Sequence, residues 1–138
     1  MAASGCASPF NRRRHDQIDS AIVAGLTVWF VIATLGNFLL RAAMPGYAAV
    51  EVAMDFTLGM LIARLALGAV SSFGAGFVTA WIATRPRRDV VLLMALLLVL
   101  FLPVHYSLWQ RFPVWYHAAF LLSLVIVPAL GASLRARN

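Results

Sequence analysis

Four apolar stretches, roughly residues 18–40, 56–83, 90–106 and 114–134, take up most of the chain, and short segments rich in proline, glycine and arginine join them. Each stretch is close to the ~20 residues that carry an α-helix across a bilayer core. In hydrocarbon, helices and closed barrels are the structures that satisfy every backbone polar group. The expected fold is therefore all-α, an integral membrane four-helix bundle over residues 18–138, preceded by a basic N-terminal segment over residues 1–17. Composition agrees, because a chain of 138 residues that is 62% hydrophobic and 12% charged is too apolar for an ordinary soluble domain. Between the first two spans, Met44, Pro45, Gly46 and Tyr47 read as a loop, with Glu51 and Asp55 beyond it. "TRPRRD", residues 84–89, forms a tight second connection.

Every basic residue is an arginine, and their placement is uneven. Arg12, Arg13, Arg14, Arg85, Arg87, Arg88, Arg135 and Arg137 fall at one side of a four-span topology, while Arg41 and Arg111 fall at the other. Basic residues near span ends resist translocation, so both termini are expected in the cytoplasm. Topology and lipid headgroups account for these charges. The polar segments lack the interleaved aromatic and basic residues of a strand-binding surface, so no nucleic-acid partner is expected. The bilayer is the expected partner, together with a homo-oligomer or a larger membrane complex. The first apolar run is too long for a secretory signal and reads as an uncleaved span. Cys6 is the only cysteine, which excludes an intramolecular disulfide and leaves an inert thiol.

The second span carries Gly68, Ser72, Gly76 and Ala80 at four-residue spacing, a stripe of small side chains that lets a neighbouring helix approach closely. That neighbour is either another helix of the bundle or a partner protein. Arg64, one turn before the stripe, is the most informative charge, because an ionisable residue within a span needs water or a partner. At 1.5 Å per residue, Arg64 lies about 31 Å from Arg85, near the outer edge of the core. Similar measurements place Asn37 about 28 Å from Ile18, His105 about 24 Å from Asp89, and His117 about 27 Å from Arg135. Asn37, Arg64, His105 and His117 are thus expected in one polar layer of the outer leaflet, with Arg41, Glu51 and Asp55 above them.

"LPVHYSLWQRFPVWYHAAF", residues 102–120, turns between the last two spans. Tyr106, Trp109, Trp115 and Tyr116 suit an interfacial aromatic belt, and Pro113 suits the first turn of the final helix. Two histidines at matching height on a tight hairpin can share a small ligand. Haem or metal at His105 and His117 is the lesser reading, since the third and fourth spans offer no carboxylate at that level as a further ligand or outer acceptor. No cofactor and no metal are expected. Catalytic signatures are equally scarce: the chain has no lysine, no cysteine pair and no HExxH helix, so a non-enzymatic role is expected.

"MLIARLALGAVSSFGAGFVTAWIA", residues 60–83, and "LFLPVHYSLWQRFPVWYHAAFLLSLVIVPALGASL", residues 100–134, resemble small, uncharacterised four-span bacterial inner-membrane proteins. The resemblance covers the last three spans in general pattern and implies the same architecture, with no activity to carry over. Two functional expectations follow from the residues. The first is an accessory or interaction subunit that docks through its helix faces. The alternative is a binding or transport protein for an anionic or quinone-like small molecule, its site built from Arg64, His105, His117 and Asn37.

Overall fold

The computed structural model describes residues 9–136, with side chains from Ser20 to Arg135. Five helices follow in order: α1 (Pro9–Ala43), α2 (Tyr47–Ala53), α3 (Leu58–Ile82), α4 (Pro86–Ser107) and α5 (Val114–Ala136). The all-α class is as expected, and four segments, Ser20–Ala43, Leu58–Ile82, Pro86–Ser107 and Val114–Arg135, are long and apolar enough to cross a membrane. Cys6 and Arg137 lie outside the described residues, and the side chains of Arg12, Arg13 and Arg14 lie outside the described side chains.

Helix ends follow local chemistry. Thr57 caps α3, its hydroxyl accepting from the Met60 N–H at 3.4 Å, and Pro86 opens α4, where its missing N–H costs nothing. The segment read as a loop after Met44 instead contains α2. Seven residues are too few to hold a helix in isolation, so tertiary contacts must supply the stability. Tyr47, fully buried, provides them: its ring sits 5.5 Å from Phe56, and its hydroxyl joins a polar chain linking α1 to α3. Left-handed backbone brackets this helix, at Gly46 (φ 77°), where glycine removes the penalty, and at Met54 (φ 58°).

Helix α3 is the hub of the bundle and packs against α5, α1 and α4. Lipid tails are as apolar as leucine, so close backbone approach and interhelical hydrogen bonds take over the role that water exclusion plays in soluble bundles. The closest approach joins α3 to α5. A side chain at Gly76 would overlap the backbone of Pro128, and one at Gly131 would overlap the backbone of Phe73, so each helix presents a glycine to the other. Towards α1, Thr79 donates to the Ala21 carbonyl at 3.3 Å, and the Trp29 indole N–H donates to Ser72 Oγ at 3.1 Å. The core between these contacts is built from Trp29, Ala75, Leu93, Leu97, Phe120 and Leu124. A smaller cluster, Leu61, Phe112 and Tyr116, closes the end nearest α2.

Candidate functional site

A directional chain of hydrogen bonds crosses from α3 to α1 at the α2 end. The Arg64 Nη1–H donates to Tyr47 Oη at 2.9 Å, and the Tyr47 hydroxyl donates to Asn37 Oδ1 at 3.3 Å. Asn37 Nδ2 then donates to Glu51 Oε1 at 3.1 Å, and the other carboxylate oxygen takes Arg41 at 2.7 Å. These partners fix which way the Asn37 amide points, because its oxygen must face a donor and its nitrogen an acceptor. Arg64 also lies over the Phe56 ring, 4.7 Å from its centroid, and 3.9 Å from Glu51. Its Nε–H is buried without a hydrogen-bond partner.

Beside this chain a cavity of about 390 Å³ opens between α1 and the other spans. Its polar end is formed by Arg64, Arg41, Asn37 and Tyr116, and its apolar walls include Trp29, Phe101 and Phe120. Thr34, Phe38 and Arg41 line it and are themselves exposed, so the cavity reaches the molecular surface along α1. Two guanidinium groups meet a single carboxylate, Glu51, in this network. Asp55, the next acidic residue, is exposed in the turn before α3. The local balance is one positive charge in excess, facing a pocket with aromatic walls. Such a site accommodates an anion with an apolar body.

His105 and His117 stand behind the wall of this cavity, not in its lining. Their Nδ1 atoms are 2.7 Å apart, and both rings are buried. Trp109 stacks on His117 at 4.9 Å, and Phe120 lies 4.6 Å from the His105 ring. At that separation one ring donates its Nδ1–H and the other accepts, and the tautomers decide which. Two nitrogens on one tetrahedral zinc, at bond lengths near 2.05 Å, stand about 3.3 Å apart. Among the described residues, no third His, Cys, Asp or Glu joins the pair. His117 Nε2 is buried and has no hydrogen-bond partner.

The four residues expected to bind a ligand thus divide in two. Asn37 and Arg64 meet around Tyr47 and Glu51 at the cavity, while His105 and His117 bond to each other. Gly68, Ser72, Gly76 and Ala80 are all buried inside the chain. Gly68 leaves room for the Phe120 ring, Gly76 for the Pro128 backbone, and Ser72 accepts from Trp29. Ser71 and Ser72 both donate to carbonyls of their own helix, at Leu67 and Gly68.

Sequence reasoning missed Tyr47 as the hub of the polar chain and Tyr116 as a cavity residue. It also passed over Asp89, which is fully buried in the first turn of α4 with both carboxylate oxygens unpartnered. A lone carboxylate in a first helical turn is a recognisable signal, because the helix N-terminus favours negative charge. No protein-family model, curated protein or solved structure matches the chain, so its geometry carries the functional reading.

Proposed function

We propose that the chain is a non-enzymatic binding protein of the bacterial inner membrane that takes a singly charged anionic amphiphile into the α1-side cavity. One observation carries this reading: two arginines share one carboxylate at the polar end of a pocket with aromatic walls. Excess charge at the edge of a bilayer core needs a counter-charge. An apolar chain attached to that counter-charge would fill the walls. The arginine bias favours cytoplasmic termini, which would set the cavity in the outer leaflet, where its opening along α1 would admit a lipid-like molecule sideways. The charge favours an anion over a neutral quinone. The interaction-subunit reading draws less support, because the small-residue stripe that a partner helix would use is taken up by α5 and α1.

The test is thermal unfolding of the purified protein in a mild neutral detergent with short-chain phosphatidylglycerol, phosphatidylcholine or inorganic phosphate added. The reading expects a rise in Tm with phosphatidylglycerol that Arg64→Gln reduces at least tenfold in apparent affinity. Stabilisation by inorganic phosphate at the same concentrations would reassign the site to a free anion. Equal stabilisation by both lipids would overturn the reading.

A further inference from the structure

The histidine pair has no part in the polar chain, yet it is one side chain away from the cavity. Phe120 lines the cavity and touches His105, with ring centroids 4.6 Å apart, and Tyr116 lines it with its ring 6.1 Å from each histidine. We propose that His105 and His117 form a proton-holding site coupled to the cavity, so that an anion enters together with one proton. This rests on the anionic-ligand reading above and adds to it the regulation of that site.

Proton accounting follows from the shared bond. Two neutral imidazoles carry two ring protons on four nitrogens. With one proton between the Nδ1 atoms, one Nε2 holds the other proton and the remaining Nε2 is bare. A further proton from water goes to that bare nitrogen and leaves an imidazolium bonded to an imidazole, with the bridging bond now charge-assisted. His117 Nε2 is enclosed without a partner, while His105 keeps 6% of its surface exposed, so His105 Nε2 is the nitrogen that exchanges. No bond other than N–H forms or breaks, and solvent supplies the proton.

Electrostatics then ties this proton to the ligand. Among the described titratable groups, Tyr116 on α5 faces the pair, and Arg64 on α3 lies beyond the Tyr116 wall at the cavity. Among the described residues, no carboxylate joins the pair to neutralise an imidazolium. An anion in the cavity attracts a proton on the pair through a low-dielectric wall, and linkage requires the proton to strengthen anion binding by the same factor.

The experiment is titration calorimetry with short-chain phosphatidylglycerol, whose phosphodiester does not titrate in the window used, from pH 5.5 to 8. Repeating it in buffers of different ionisation heat counts the protons taken up. Near the middle of the window we expect uptake peaking at about half a proton per lipid, as a tenfold linkage to one site requires, and affinity about tenfold higher at pH 5.5 than at pH 8. In His105→Gln and in His117→Gln the uptake falls to zero, and the affinity at pH 5.5 drops to the wild-type value at pH 8. Two variants guard against one of them failing to fold. Binding without proton uptake in the wild type would overturn the coupling and leave the cavity reading intact. Uptake that survives in both variants would assign the proton to another group and overturn it as well. Absence of any lipid binding would remove both the cavity reading and the coupling built on it.

Discussion

The two halves of α3 make opposite use of the same helix. Towards Ile82, small residues bring the backbones of α3 and α5 together at Gly76 and Gly131, and Thr79 bonds directly to the α1 backbone. Towards Leu58, the helix carries Arg64 and Leu67 instead: Leu67 fills the space beside Gly36 of α1, and Arg64 lines a cavity that opens between the spans. Small side chains thus form a tight base, and larger polar ones above it create space. In a membrane bundle a cavity is affordable where a closely packed half below it fixes the helices.

The largest expected effect tests the tight half. Gly76→Leu places a branched side chain against the Pro128 backbone, which cannot move aside as a flexible side chain can, and should destabilise the bundle by about 3 kcal/mol or more. The measurement is the denaturation midpoint in detergent; a midpoint within error of wild type would break the comparison. Next comes Tyr47→Phe in the open half, which keeps the ring and removes the bonds to Arg64 and Asn37. It should cost about 1–2 kcal/mol and weaken phosphatidylglycerol binding several-fold. A loss of stability with unchanged lipid affinity would detach the polar chain from the cavity.

Trp29 lies where the halves meet, lining the cavity and donating to Ser72. Trp29→Phe should cost about 1 kcal/mol through the lost hydrogen bond, beyond what the smaller ring costs in packing. Comparing it with Trp29→Phe in a Ser72→Ala background isolates the bond, and additive losses would show that the bond contributes nothing. The smallest effect is expected at Gly59, where an added methyl group meets nothing within 4 Å. Gly59→Ala should shift stability by less than about 0.5 kcal/mol, and a large loss there would show that glycines in α3 matter for reasons other than close approach.

Much of this arrangement was legible along the helix axes and little of it around them. Rise per residue is fixed by helix geometry, so counting from Arg85, Asp89 and Arg135 was enough to align Arg64, His105 and His117 in height. Rotation had no comparable signal. Lipid and bundle interior are both apolar, so the spans carry no polar stripe to mark the outside, and the separation of the histidines from Arg64 by Tyr116 was invisible. The small-residue stripe was the exception, because steric size reports close approach whatever the solvent. Helix α2 was hidden for a different reason. Its seven residues have no helical signature strong enough to stand against Pro45 and Gly46, and Tyr47 gains its role from Asn37 and Arg64, residues distant in sequence.

Of the four spans, α1 is the least enclosed by the rest of the chain. During synthesis it enters the bilayer before α3 exists, and its interior groups then wait for partners. The Trp29 indole N–H has no Ser72 to bond, and the Ala21 carbonyl no Thr79 hydroxyl, until the second long helix is in place. A span that stays comfortable in lipid alone can afford that delay, and its mainly apolar exterior, with residues such as Val31, Leu35 and Leu39 facing outward, makes it one. Arrival of α3 supplies Ser72 and Thr79, and arrival of α5 completes both the base at Gly76 and Gly131 and the cavity wall at Tyr116 and Phe120.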